Sequence, residues 1–494
     1  MIRLPLYGAM VVAFTVLISV AALAFGASDA RLLYVALLFA LCASPVLYAR
    51  RLNDGYALYT IFFVIYFVSF GSLDFIRLFE QAPLAARTAL LSTPELLILL
   101  SGFAFALGYH YAANLLTRRR VSRFLRDDWP ITTLLSAGLI LWAGGTFATW
   151  YWNIRLTVRT LEVNYAGEGV TTLLMIGRYA QPIGILILAY AYTIWRSRTL
   201  GLMMIAVVVI QVLLGFVSNE KGLAMLGGIL VIVTVYLVDG RLAKSWLIAG
   251  ALFITIAFPV FQAYRTVVVG ERGVTNAEAA QDIGKVLRLA IDGERRNNDE
   301  KLVAFFERSS VKGSVELIVS RAGVDVAYQR GHTLTPILTA FIPRLLWPNK
   351  PSVETGLLFN DEFQIADAVV YISPSYLGEL YWNFGWAGAL IGLLVIGLVL
   401  GYTSALCDLS TATSVTRLLI LAITIFEFGV RFEGSIATEF EVWVRSVAGI
   451  LLLHLLLSRR GLRHTAYASL ASFEGSGLDG TPPAAPERFP NLMT

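Results

Sequence analysis

The sequence is poor in charged residues, which make up only 15% of its 494 positions. A soluble globular domain carries about a quarter, so this chain lacks the polar surface that such a domain needs. Hydrophobic residues make up 57%, and long apolar runs recur along the chain. These features predict an all-α polytopic integral membrane protein, because a helix satisfies its backbone hydrogen bonds within lipid.

Cysteine and the common metal-binding or nucleotide-binding motifs are also scarce. The chain has two cysteines, Cys42 and Cys407, which fall in or beside apolar runs and are expected to be small apolar fillers. This spacing excludes a disulfide framework and a Cys/His metal site. The absence of DxD, Walker A and HExxH sequences argues against a metal-dependent enzyme, and we expect no cofactor.

The apolar runs predict about twelve transmembrane helices. The first is too long for a typical signal-peptide core, so we expect it to be retained. The predicted spans are residues 7–26, 32–49, 55–73, 94–114, 130–150, 173–195, 201–217, 222–238, 246–264, 385–403, 418–430 and 440–457.

The lysines and arginines predict the topology. The net charge of +5 gathers mainly in alternate short connections, such as the cluster in 117–126 and the group after residue 458. By the positive-inside rule both termini are cytoplasmic, and this explanation of the charge leaves no reason to expect nucleic acid as a partner. The prediction is a nine-helix membrane region (1–264), a large outer loop (265–384), three further spans (385–458) and a disordered cytoplasmic tail (459–494). Helical periodicity within the loop predicts helices at 276–291 and 313–330.

Several charges lie at the outer ends of the predicted spans. Charged groups at such depth are costly and frequently functional, and guanidinium groups bind phosphate bidentately. We therefore predict an electropositive chamber that binds a pyrophosphate headgroup. Its predicted ligands are Arg178, Lys221, Arg265, Lys350 and Arg431, with Arg445 at the same depth. Snorkelling arginines, interfacial anchors and the i,i+4 pairs Glu427–Arg431 and Glu441–Arg445 are the alternatives.

The late part of the loop holds the candidate catalytic residues. In "FIPRLLWPNKP" (341–351), three prolines stiffen the backbone around Arg344, Trp347 and Lys350. A membrane-interface segment with Trp at headgroup depth is the alternative. Glu379 lies among aromatic residues in "SPSYLGELYWNFGWAG" (373–388), where partial desolvation would raise its pKa and suit it to act as a general base. His332 is the rival base.

These two segments resemble a known family. "FIPRLLWPNKP" followed by "SPSYLGELYWNFGWAGALIGLLVIG" (373–397) is similar to the bacterial O-antigen and exopolysaccharide repeat-unit polymerases, the Wzy class. The resemblance implies a metal-independent inverting glycosyltransferase of the bacterial inner membrane, with the large loop in the periplasm. It would transfer undecaprenyl-pyrophosphate-linked glycan chains onto lipid-linked oligosaccharide units, with a chain-length regulator and a flippase as partners. Arg344 would act beside Glu379 in catalysis, and Trp347, Tyr381 and Trp382 would pack against sugar rings.

Three other functions remain open at this point. An O-antigen ligase would use the same donor, a transporter or flippase would move the lipid-linked saccharide, and a scaffold would need no single essential residue. Charges gathered at one face favour chemistry there over a passage through the bilayer.

Overall fold

The computed structural model describes twelve stretches of the chain. They are residues 30–48, 57–77, 91–115, 129–151, 169–217, 221–239, 310–342, 346–347, 350, 353–365, 371–407 and 414–475. Helices dominate these stretches, and no strand occurs in them apart from an isolated bridge between Ala322 and Val326. The predicted helix at 276–291 lies outside the described residues.

The described helices are named here in chain order. They are α1 (Ala30–Tyr48), α2 (Ala57–Phe70), α3 (Ser72–Arg77), α4 (Thr93–Leu115), α5 (Ile131–Tyr151), α6 (Gly169–Trp195), α7 (Arg198–Val217), α8 (Lys221–Asp239), α9 (Lys312–Arg321), α10 (Thr335–Thr339), α11 (Thr355–Phe363), α12 (Ser375–Leu406), α13 (Val415–Thr424) and α14 (Ile436–Gly475). A 3₁₀ turn (His332–Leu334) precedes α10, and α13 continues as a π-helical turn (Ile425–Val430).

Six helices in the described part of the chain are long and apolar enough to cross a membrane. They lie in α4, α5, α7, α8, α12 and α14. Ten of the twelve predicted spans overlap described helices, and the spans predicted at 7–26 and 246–264 lie outside the described residues. The structure therefore supports a helical membrane protein, while the count of twelve stays a prediction.

Helices α4 and α12 pack side by side and run in the same direction. A Cβ on Gly397 would lie 2.2 Å from the Phe105 carbonyl oxygen, and one on Gly401 would lie 2.4 Å from that of Tyr109. A step of four residues along α12, from Gly397 to Gly401, moves the contact four residues along α4, from Phe105 to Tyr109. The two helices are therefore parallel. Both helices therefore begin on the same side of the bundle.

Helix α12 is bent into two arms at Phe384 and Gly385. Gly385 has φ +60° and ψ −144°, a conformation that only glycine adopts without strain. A Cβ on Gly388 would lie 2.3 Å from the Leu380 carbonyl oxygen. An unbent helix would separate those residues by roughly 12 Å, so the first arm (375–383) folds back against the second. We call this bend the elbow.

The described residues of the predicted outer loop (265–384), here called the loop region, lie at the end of the bundle where α4, α12 and α14 begin. We call this end the loop side. Helix α9 is fixed there by Lys312, whose Nζ lies 2.5 Å from Asp74 Oδ2 and 2.9 Å from Glu95 Oε1. The same ammonium group lies 4.3 Å from the centre of the Tyr34 ring. The side chain of Lys312 is only 9% exposed, so these contacts replace its hydration. Of the periodic stretch 313–330, only the part up to Arg321 is α-helical.

The turn between α13 and α14 enters the bundle rather than standing above it. Phe432 is fully buried and contacts the rings of Phe62, Tyr66 and Phe70 on α2. The neighbouring Tyr376 donates its N–H to the Phe432 carbonyl, 3.4 Å away. The first arm of α12 therefore begins at the depth of this turn, within the loop-side part of the bundle.

Candidate functional site

Glu379 is the centre of the candidate site. It lies on the first arm of α12 and is fully buried. Its Oε2 accepts a hydrogen bond from the backbone N–H of Ile436 at 2.8 Å, at the first turn of α14. Its Oε1 is buried and makes no hydrogen bond to the described residues. A buried oxygen without a donor is costly, so Oε1 is the atom best suited to meet a ligand.

Hydroxyl groups surround this carboxylate. The side chains of Thr333 and Ser435 both face Glu379, and Ser435 Oγ lies 3.3 Å from Thr355 Oγ1. The three come from the turn before α10, the turn before α14 and the start of α11. Segments far apart in the sequence therefore supply a small polar cluster within an apolar bundle.

Asn383 ties this cluster to the elbow. Its amide nitrogen donates to Thr333 Oγ1 at 2.7 Å and to the Glu379 carbonyl at 2.8 Å. Its Oδ1 accepts the N–H of Gly331 at 2.7 Å. Because the Thr333 oxygen accepts from Asn383, the Thr333 proton stays available for a further acceptor. Sequence reasoning gave Asn383, Thr333 and Ser435 no role; the position of Asn383 two residues before Gly385 was the available signal.

One line of charges joins the loop region to α14 and α6. The Lys350 side chain is 1% exposed, and its Nζ lies 2.7 Å from Glu441 Oε1. The same carboxylate oxygen binds Arg445. Arg445 also donates to the Tyr179 hydroxyl, with its guanidinium 5.2 Å from the centre of that ring. Lys350 and Arg445 thus share one carboxylate.

A second group of charges lies at the π-helical turn. Arg431 Nη1 is 3.2 Å from Glu427 Oε2 and 2.9 Å from Glu439 Oε2. Both carboxylates are buried, whereas the Arg431 side chain is 41% exposed. One guanidinium therefore compensates two buried carboxylates and still presents part of its surface to a ligand.

Three of the cations predicted at the outer helix ends form ion pairs. Lys350, Arg431 and Arg445 each contact a carboxylate, and both i,i+4 pairs allowed by the sequence are formed. Arg178 is partly buried on α6 beside Tyr179, and Lys221 is the first residue of α8. Arg265 and Arg344 lie outside the described residues. Convergence of the whole set stays a prediction.

Two of the three aromatic residues predicted to pack against sugar rings are buried. Trp382 is fully buried, with its ring centre 5.8 Å from that of Phe359 and 5.3 Å from that of Phe363. Tyr381 is also buried. A ring that stacks on a sugar needs an open face, so the positions of these two residues do not support that expectation. Trp347, at 38%, keeps an exposed surface.

Two further polar residues border the site. His332, the rival base, is exposed at the start of the 3₁₀ turn, next to Thr333. Tyr371 packs over Gly356, one residue after Thr355. Desolvation, with the nearby Glu354, raises the pKa of Tyr371 to about 12, so this phenol keeps its proton at neutral pH. Glu379 remains the carboxylate that reaches the hydroxyl cluster.

Comparison with known proteins identifies one family. A family model described as a domain of unknown function (DUF8712) matches residues 152–410, just over half of the 494-residue chain. No curated protein and no solved structure matches the chain. The matched range contains both the loop region and α12, including Glu379 and the elbow. The chain belongs to the DUF8712 family, which is defined by a domain of unknown function.

Proposed function

We propose that the protein is a polymerase of the bacterial inner membrane that transfers undecaprenyl-pyrophosphate-linked glycan chains onto lipid-linked oligosaccharide repeat units. The observation that carries the proposal is the environment of Glu379. Its carboxylate is buried, its Oε1 has no hydrogen bond among the described residues, and hydroxyl groups face it. This is the arrangement that a general base needs before a substrate hydroxyl arrives.

The chemistry follows from the residues around that oxygen. Glu379 accepts the proton of the acceptor hydroxyl while the hydroxyl oxygen attacks the anomeric carbon of the donor. The bond from that carbon to the pyrophosphate oxygen breaks, and undecaprenyl pyrophosphate leaves. Arg431 neutralises the developing charge, together with Arg178, Lys221, Arg265, Arg344 and Lys350.

A single displacement with inversion fits the contacts of three carboxylates near Glu379. Glu427 and Glu439 both contact Arg431, and Glu441 contacts Lys350 and Arg445. These contacts hold the three carboxylates as counter-ions, whereas Glu379 keeps an oxygen for the substrate. A double displacement would need a second carboxylate placed as a nucleophile.

The proposed location is the periplasmic face, with twelve spans and cytoplasmic termini. The lysine and arginine counts predict that α4 and α12 both begin on the periplasmic side. The parallel packing of the two helices supports this topology, because it requires both to begin on one side of the membrane. The loop side is then periplasmic, where lipid-linked repeat units would be joined.

A transporter of lipid-linked saccharides is the second candidate, and the elbow in α12 favours it. Broken helices with buried polar groups form substrate sites in many transporters. An O-antigen ligase would share the donor chemistry and differ only in its acceptor.

A reconstituted assay distinguishes these functions. Purified protein in liposomes is given a lipid-pyrophosphate oligosaccharide unit, and the variants are Glu379→Gln and Arg344→Ala. Glu362→Gln, a change of an exposed carboxylate on α11, is the matched control. We expect wild type and the control to produce a ladder of chain lengths, and the other two variants to lose it while remaining folded.

Other outcomes would replace the proposal. Transfer only to a lipid A core acceptor would indicate a ligase. Movement of the lipid across the liposome membrane without a ladder would indicate a transporter. A ladder from Glu379→Gln at the wild-type rate would remove Glu379 as the base.

A further inference from the structure

A short segment on the loop side exposes large apolar side chains outside every candidate spanning helix. Its described residues are 335–342 and 346–347, in which Leu338 is 79% exposed, Phe341 is 68% exposed and Leu346 is 77% exposed. The described residues of this segment carry no charge. Three large apolar side chains so exposed within nine residues would be unfavourable in water.

Contacts with α14 give the depth of this segment. The ring centre of Phe341 lies 6.1 Å from that of Phe440. Phe440 is the fifth residue of the candidate span Ile436–Leu457. At roughly 1.5 Å per residue, Phe440 lies about 6 Å along the helix from its first residue. The segment therefore lies beside the loop-side end of the span rather than above it.

A second contact gives the same depth independently. Lys350 binds Glu441, the residue after Phe440, and is almost completely buried in doing so. The chain is therefore held against α14 at two points, on either side of Leu346 and Trp347. Trp347 is partly exposed between them, and tryptophan is enriched where lipid headgroups meet the hydrocarbon.

We infer that residues 335–342 and 346–347 are inserted among phospholipid acyl chains on the loop side of the membrane, where Leu338, Phe341 and Leu346 contact lipid. Acyl chains suit this surface because its described residues are apolar and uncharged. The surface also lies beside the loop-side end of the candidate span in α14. A protein partner would need a surface that enters the bilayer alongside α14. The inference does not depend on the proposed function, since it concerns lipid contact and not the reaction.

Spin labelling of the full chain tests the insertion. Cys42 and Cys407 are changed to alanine, and single cysteines are introduced as Leu338→Cys and Leu346→Cys. The labelled protein is reconstituted in vesicles of phosphatidylethanolamine and phosphatidylglycerol. Collision of the nitroxide with oxygen, which partitions into hydrocarbon, is compared with collision with a water-soluble nickel chelate.

Two reference positions calibrate the result. Phe103→Cys reports hydrocarbon, because Phe103 is 54% exposed on the candidate span α4. Val324→Cys reports water, because Val324 is 83% exposed beside the ion pair between Arg321 and Asp325. All four positions are exposed, so the label should leave the fold unchanged, which elution volume checks.

We expect labels at 338 and 346 to collide more with oxygen than with the chelate, as the label at 103 does. Chelate collision at either position equal to that at 324 would overturn the insertion. Since no substrate is present, neither result bears on the polymerase proposal.

Discussion

At the scale of single residues, the two oxygens of Glu379 have different roles. Oε2 is bound to the N–H of Ile436, which fixes the carboxylate to the start of α14. Oε1 has no hydrogen bond to a described residue and lies in the same buried cluster. One oxygen therefore holds the side chain in place, and the proposed function assigns the other to the reaction.

This division predicts different stabilities for two variants. Glu379→Gln keeps an acceptor for the Ile436 N–H, whereas Glu379→Ala leaves that buried donor without a partner. We expect the alanine variant to lose about 1–3 kcal/mol more stability than the glutamine variant. Thermal unfolding in detergent measures the difference, and equal losses would mean that the Ile436 contact contributes nothing.

Residue pairs close in sequence could be predicted, whereas distant pairs could not. The spacing of Glu427 and Arg431 indicates an ion pair because helix geometry fixes i and i+4 on one face. Lys350 binds Glu441, 91 residues away, and Glu379 meets Ile436, 57 residues away. No local rule fixes those partners, since they depend on how the elbow and the turn before α14 enter the bundle. The i,i+4 pairings of Arg431 and Arg445 were therefore open to prediction from spacing, whereas the pairing of Lys350 with Glu441 was not.

At the scale of elements, the packing of α4 against α12 depends on the absence of side chains at the contact. Gly108, Gly397 and Gly401 each face a carbonyl oxygen of the opposite helix. Close approach of this kind is a common way to associate helices in lipid. Here it also sets the position of the elbow relative to α4.

The close approach predicts that Gly397→Ala is destabilising. Its new Cβ would lie 2.2 Å from the Phe105 carbonyl oxygen, so the helices would have to separate. We expect a loss of about 1–3 kcal/mol, measured as a lower midpoint of thermal unfolding. Gly228→Ala on α8 is the control, because a Cβ there would have nothing within 4 Å. The control should be neutral or stabilising by about 0.5–1 kcal/mol. An equal response of the two variants would contradict the packing argument.

Hydrophobic runs predicted the helices well and their bends poorly. The span predicted to begin at residue 385 begins at the elbow, where Gly385 has positive φ. Apolar composition cannot distinguish a separate loop from an arm that folds back into the bundle, because both arms of α12 contain buried apolar residues. The span predicted at 418–430 divides into α13 and a π-helical turn.

At the scale of the whole molecule, Lys312 connects the loop region to the bundle. Its ammonium group joins α9 to Asp74 on α3 and Glu95 on α4, more than 200 positions away in the sequence. The loop region also carries Thr333, Thr355 and Lys350, so its placement decides whether the hydroxyl cluster forms around Glu379.

Lys312→Met should therefore weaken both stability and the site. The change leaves Asp74 and Glu95 buried without this cation, and we expect a loss of about 3–5 kcal/mol. Glu316→Gln is the control: that carboxylate is 3.7 Å from Lys312 and its side chain is 45% exposed, so we expect a change of at most about 1 kcal/mol. Limited proteolysis of the loop region together with thermal unfolding measures the effect. Unchanged proteolysis in Lys312→Met would show that other contacts hold the loop region.

The pairing of charges at the site has a consequence for the kinetics of substrate arrival. An ion pair has a weaker distant field than a lone cation, so the described part of the site offers little electrostatic steering. A headgroup would be attracted only once it reached the partly exposed guanidinium of Arg431. An anionic lipid would then arrive by lateral diffusion in its own leaflet, and its association rate would vary little with ionic strength.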